Sequence, residues 1–283
     1  MSTMRLSILA ALVLVLGVVG QSSAAPLVSE NFDTMSSASG TIAAPPAGWT
    51  VGYLGTVGSQ NRLVMSPYAG NGQTITSMPI YSVANTGVNY QTNYNGGTKG
   101  DVGTVFNCGI VSAADRALGG YPRTNPSGDH IMQVAFSNTT GEPLSAIQLD
   151  YDMEQWGWGQ GTSPAPQSEK IRVLFSSTSS IAGFSYTGTN FDGVAPKQGP
   201  GTPTINLVID GNASANKVHV SGLYTLPSTL DPGASMWLRF HDWNDDATLD
   251  HVLAIDNVVV LPEPATLAFL ALGGILALRR RSR

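Results

Sequence analysis

Apolar and polar residues alternate with a period of two along much of this chain. Ile147, Leu149, Tyr151 and Met153 fall on one side of a predicted strand, and Gln148, Asp150, Asp152 and Glu154 fall on the other. Such alternation belongs to a sheet with one buried face. His130–Phe136 groups Met132, Val134 and Phe136 in the same way. Ile171, Val173 and Phe175 repeat the pattern, as do Ile205, Leu207 and Ile209. Met236, Leu238 and Phe240 do so again, opposite Trp237, Arg239 and His241. Leu27–Phe32 predicts a first strand, with Phe32 and Trp49 as core aromatics. Val252–Val260 is almost wholly apolar and predicts a central closing strand. Asn138-Thr139-Thr140-Gly141 is a turn, Ser36–Gly48 a small-residue and proline loop, and Asn85–Gly103 a long surface loop. Between the two ends no stretch sustains a 3.6-residue period, and no repeat of the kind a propeller needs is present. Many short antiparallel strands predict two packed sheets. The expected fold is all-β, a single jelly-roll-like antiparallel β-sandwich over residues 25–261.

Both ends break the pattern. Arg5 precedes the apolar run Leu6–Val19, and Ser22-Ser23-Ala24 offers small residues for cleavage. This is the layout of a secretory signal peptide over residues 1–24. An uncleaved N-terminal anchor is the alternative. At the other end Pro262-Glu263-Pro264 leads into Ala265–Leu278, a run of 14 residues, and then Arg279-Arg280-Arg281-Ser282-Arg283. As a helix the run spans roughly 21 Å, against a bilayer core of ~30 Å. It inserts if Pro264 starts the helix and the arginines snorkel to the headgroups. Cations favour the cytoplasmic side, which would leave the body of the protein outside.

The tail resembles the PEP-CTERM sorting signal of Gram-negative bacteria. Pro262, Glu263, Pro264, Ala265, Thr266, Leu267 and Ala268, the glycine-containing apolar run and the arginines Arg279, Arg280 and Arg281 carry the likeness. Leu261 stands where Val is common. The resemblance implies Sec export, a transient inner-membrane anchor, and recognition by an exosortase, a membrane-embedded cysteine protease that cleaves near the Pro-Glu-Pro. It also implies a final place at the cell surface or in the extracellular matrix.

Residues 25–261 hold nine cations against eighteen carboxylates, a formal charge of −9. That balance argues against a nucleic-acid partner, whose phosphates need a basic surface. The lone cysteine, Cys108, cannot form an internal disulfide, so the domain must stand on its core. It is expected as a small buried apolar residue.

Three blocks resemble a module common in exported bacterial proteins, over roughly residues 115–260. They are Asn138–Gly141 leading to Glu154-Gln155-Trp156, then Asp210–Asn216, then Trp237–Phe240 with Asn244-Asp245, Asp250-His251 and Leu253–Asn257. Gly157 and Asp246–Leu249 depart from it. No established activity comes with that module, so it implies a β-sandwich and no chemistry.

Four constellations remain. Asp150, Asp152 and Glu154 share a strand face, with alternate residues ~6.8 Å apart. Retaining glycosidases hold two carboxyls about 5–5.5 Å apart and inverting ones about 6.5–9.5 Å. Glu154 would be the acid, Asp150 the nucleophile and Asp152 the member between them; a solvated acidic stripe gives the same pattern. Asp242, Asn244, Asp246 and Asp250 form an oxygen-rich run that could hold a structural calcium ion, which takes six to eight oxygens, or could be a polar loop network against Arg239. His241 and His251 lie beside them as further potential ligands. Trp156 and Trp158 could stack on sugar rings; Trp156 is expected in the core, leaving Trp158 as the exposed one. Together these features predict an exported, non-catalytic surface or matrix protein associated with extracellular polysaccharide. The alternatives are a carbohydrate-binding module and a glycoside hydrolase using Asp150 and Glu154.

Overall fold

The computed structural model describes residues 25–35, 42–43, 45–57, 60–65, 78–82, 105–110, 113–120, 129–158, 169–177, 185–197, 207–243 and 251–263. The segment expected to be a signal peptide, the apolar tail run and the loop expected at Asn85–Gly103 lie outside these residues. Among the described residues no helix is long and apolar enough to cross a membrane.

Sixteen strands are described, in chain order β1 (Val28–Glu30), β2 (Ile42–Ala43), β3 (Trp49–Val57), β4 (Gln60–Met65), β5 (Met78–Ser82), β6 (Val105–Gly109), β7 (Arg116–Gly120) and β8 (Asp129–Ser137). They continue as β9 (Leu144–Trp158), β10 (Lys170–Ser176), β11 (Ser185–Tyr186), β12 (Gly193–Val194), β13 (Leu207–Val208), β14 (Lys217–Leu230), β15 (Ser235–Asp242) and β16 (Val252–Pro262). They build two sheets. The first runs β13-β9-β16-β7-β6-β5-β2, with β14 also on β9 and β1 also on β16. The second runs β11-β10-β15-β8-β3-β4, with β12 also on β10. Strands β8, β9 and β10, and again β14, β15 and β16, alternate between the sheets. That wrapping is jelly-roll-like, and the all-β sandwich expected from the alternation is the observed fold. One pairing departs from the antiparallel expectation: β5 and β6 are parallel. The proline-containing segment read as a loop also carries the two-residue strand β2.

The inner faces supply the core. Ile147, Leu149, Tyr151 and Met153 of β9 meet Val173 and Phe175 of β10 and Leu238 and Phe240 of β15. Trp49 lies 5.0 Å from Phe32 and 6.1 Å from Phe240 between ring centroids, and Tyr151 lies 5.0 Å from Phe240. The Tyr151 hydroxyl donates to the Phe191 carbonyl at 2.7 Å, satisfying its polar end inside the core. The Asn138 turn is locked by its own side chain. Its Nδ2 donates to the carbonyls of Glu142 and Leu230, and its Oδ1 accepts from the Thr140 amide and hydroxyl. Gly141 completes that turn at φ +80°, where glycine carries no steric cost.

A second, smaller cluster lies on the outer side of the first sheet. Cys108, Ala117, Trp156, Val208, Val252 and Ala254 form it. It explains why Val252–Val260 reads as a continuous apolar run: β16 sits between β9 and β7 and is buried on both faces over its first half. Val208 of β13 is buried in this cluster, on the other parity from Leu207.

Candidate functional site

The acidic stripe occupies the outer face of the first sheet, where β9 lies between β14 and β16. Lys217 is the cross-strand partner of Glu154, and His219 that of Asp152. On the other side Asp152 faces Asp256, before a register shift in β16. Asn257 takes the left-handed backbone at that irregularity, with φ +50°. Its amide nitrogen Nδ2 reaches Asp152 at 3.0 Å and Asp256 at 2.9 Å. His219 Nδ1 contacts Asp152 Oδ1 at 2.9 Å.

Glu154 is the odd member of the stripe. Asp150 and Asp152 are half-buried, whereas Glu154 is fully buried. Its Oε2 accepts from the Trp156 indole at 2.9 Å, and Lys217 Nζ lies 2.6 Å from its Oε1. Burial raises the Glu154 pKa, opposed by the contacts to Lys217 and Trp156. Burial pulls Lys217 down, but Glu154, Asp152 and Asp256 outweigh it and hold the amine above its ordinary value. Asp256 is pushed up to about 8, first by burial and then by the charge of Glu154, against the Asn257 amide and Lys217. At neutral pH this face therefore holds a charged Lys217 and a mostly protonated Asp256.

The Asp210–Asn216 turn packs over Trp156, the residue whose indole donates to Glu154. A Cβ on Gly211 would stand 2.3 Å from the Trp156 ring. Gly211→Ala must displace a fully buried indole, with an expected cost of about 1–3 kcal/mol. A lowered urea midpoint with an unchanged m-value would show it.

Cys108 is fully buried, and burial pushes its thiol well above the ordinary value. The buried Arg116 guanidinium beside it donates to the side chain and carbonyl of Asn107. The proposed calcium residues are divided. Asp242 is the last residue of β15, paired with His130 and Ile171 and fully buried. Asn244, Asp246 and Asp250 lie outside the described residues. His251 Nε2 contacts the Lys197 carbonyl at 2.7 Å. Among the described residues no group of three or more His, Cys, Asp and Glu side chains is placed to hold a metal ion.

The tryptophans are also divided. Trp156 is fully buried, and Trp158 is half-buried at the end of β9 beside β13. The most exposed tryptophan among the described residues is Trp243, at 42%. It continues the outer side of β15 two residues beyond His241. On this outer face of the second sheet, Trp243 stacks on the His241 ring at 5.1 Å and takes the Arg172 guanidinium 4.5 Å from its ring centroid. Arg172 and His241 are cross-strand partners on β10 and β15. His241 Nε2 lies 2.9 Å from Asp129 on β8. Arg239 donates to Gln133 Oε1 through Nε at 2.9 Å and Nη2 at 2.8 Å, and both side chains are buried. Burial lowers Arg239 to about 10, so it remains a cation at neutral pH. Sequence alternation had already grouped Trp237, Arg239 and His241. Arg172 and Trp243 join them through strand pairing, which is non-local and leaves no signal in either segment alone.

Fold and face together define a two-sheet, mainly antiparallel sandwich with a polar, aromatic cluster on the outer side of one sheet and a carboxylate stripe on the other. No family model matches the chain, and no curated protein matches it. Among solved structures it is similar to adhesin and carbohydrate-binding domains. The K3 cleaved adhesin domain of Lys-gingipain from Porphyromonas gingivalis W83 is 14% identical with a TM-score of 0.38, over 83% of this chain and 98% of that one. The K1 adhesin domain of the same protein is 12% identical with a TM-score of 0.37, over 83% and 98%. The tandem CBM22 domain of Paenibacillus barcinonensis Xyn10C is 11% identical with a TM-score of 0.36, over 85% of this chain and 45% of that one.

Proposed function

We propose that this chain is an exported, non-catalytic β-sandwich that binds extracellular polysaccharide through the outer face of its second sheet. The observation that carries the proposal is the exposed Trp243 indole, stacked on His241 and held beside Arg172. A flat aromatic surface next to charged hydrogen-bonding groups suits a pyranose ring, which is apolar on its faces and hydroxylated at its edge. The hydrolase alternative loses support at Glu154. That carboxyl would have to protonate a glycosidic oxygen, but it is fully buried with both oxygens engaged by Trp156 and Lys217. The two ends of the chain supply the proposed route: Sec export, then exosortase processing at Pro262-Glu263-Pro264, delivering the domain to the surface or matrix of a Gram-negative cell.

Affinity electrophoresis in gels containing extracellular polysaccharide tests this reading. Retarded wild-type protein and Trp243→Ala running as in a plain gel is the expected result, because losing one stacking tryptophan costs about 2 kcal/mol or more. Equal retardation of both proteins would remove the proposed face.

A further inference from the structure

We infer that the polysaccharide taken by this face is acidic, a polymer bearing carboxylates such as uronic acids, with Arg172 receiving the carboxylate and Trp243 carrying the sugar ring. The inference rests on the reading of that face as a glycan site.

Donors and acceptors on the face are unequally engaged. Its described carboxylate and amide acceptors are engaged: Gln133 Oε1 accepts twice from Arg239, and Asp129 Oδ2 meets the His241 ring. A neutral sugar presents hydroxyls that need acceptors as well as donors, whereas a carboxylate needs donors alone. The donor on offer is Arg172. Among the described residues it makes neither a hydrogen bond nor an ion pair, and its recorded contact is the Trp243 ring. A guanidinium laid against a ring keeps its N–H groups in its own plane, where they can grip a carboxylate in two parallel hydrogen bonds.

The distribution of cations points the same way. Residues 25–261 hold nine cations against eighteen carboxylates. Four others are occupied: Lys170 pairs with Asp192 and Lys217 with Glu154, while Arg116 and Lys197 bond to amide oxygens, Lys197 to Asn216 and Arg116 to Asn107. Arg172 stands on a strand adjacent to that of Arg239, which is itself bonded to Gln133. Arg172 opposes His241 and Arg239 opposes Leu174, which makes the two arginines diagonal neighbours, roughly 7–8 Å apart between Cα atoms. Among the described residues, two guanidiniums, the one on Arg239 buried, share the face with the carboxylate of Asp129, itself bonded to His241. Arg172 is thus the cation of this face left unpaired among the described residues, and it stands beside their most exposed tryptophan.

The test applies the exported protein to immobilised polygalacturonate, alginate and dextran. The expected result is retention on both uronate polymers about tenfold stronger than on dextran, falling as salt rises and screens the contact. Arg172→Gln should remove the preference for uronates, Arg172→Lys should restore part of it, and Trp243→Ala should weaken binding to every polymer. Unchanged melting temperatures for the Arg172 variants would separate lost recognition from lost folding. Equal binding to dextran and the uronates, or a uronate preference that survives Arg172→Gln, would overturn the inference while leaving the glycan reading in place. Absence of binding to all three polymers would overturn both.

Discussion

Lys217→Ala should destabilise the fold by about 3–5 kcal/mol at neutral pH, the range for removing one partner of a buried ion pair. Glu154 is fully buried, and its Oε1 faces the lysine at 2.6 Å. Without Lys217 the carboxylate must either remain charged in an apolar pocket or take up a proton. The defect should therefore shrink as the pH falls and Glu154 becomes neutral. Lys217→Met combined with Glu154→Gln should recover most of the loss, because the glutamine oxygen can still accept from the Trp156 indole while the unpaired charge is gone. Urea denaturation of Lys217→Met, Glu154→Gln and the double variant measures the coupling. Additive losses would show that Lys217 and Glu154 act independently.

Asp256 gives the second large effect, and its sign is opposite to the usual carboxylate behaviour. Its folded-state pKa is pushed up to about 8, from an ordinary value of 3.8, chiefly by burial. The native state therefore holds a proton that the unfolded chain releases. The resulting stability is fully present below pH ~4 and is lost as the pH rises through about 8. Over that window the Asp256 contribution falls with increasing pH, by up to ~1.4 kcal/mol per unit. Asp256→Asn removes the ionisable group, giving up one of the two hydrogen bonds that the Asp256 oxygens accept from Asn257, and should flatten this slope. At pH 7 it should stabilise the protein by roughly 2–4 kcal/mol. Melting temperatures between pH 5 and 9 check this directly. A variant as pH-sensitive as the wild type would show that Asp256 is ionised in the native protein.

The sandwich was legible because its strands are half-buried. Ile147–Met153, Met132–Phe136 and Met236–Phe240 each bury one parity of residue, and that parity is written in the chain. The same rule misled where the outer side is not solvent. Glu154 lies on the polar parity of β9, yet the turn around Gly211 and the small cluster with Cys108 and Ala117 cover that end of the strand. Nothing near residue 154 in the sequence announces a cover that arrives from residue 211. Asp242 misled in the opposite direction. Among acidic neighbours it reads as a loop oxygen, but alternation runs two residues past Phe240, turning Asp242 inward and Trp243 outward. Extending the period by those two residues would have drawn attention to Trp243 before Trp158. Its company could not be found that way, since Arg172 and Asp129 arrive through pairings of β10 and β8 with β15.

The signal segment and the tail set where the protein is expected to go, and the face around Trp243 is what it is proposed to carry there. The most direct test is side-chain NMR during titration with polygalacturonate. The account predicts that the indole N–H of Trp243 and the guanidinium signals of Arg172 shift together, while those of buried Trp156 and of His219 on the acidic face stay fixed. Shifts confined to the acidic face, at His219 and Asn257, with Trp243 unmoved, would contradict it.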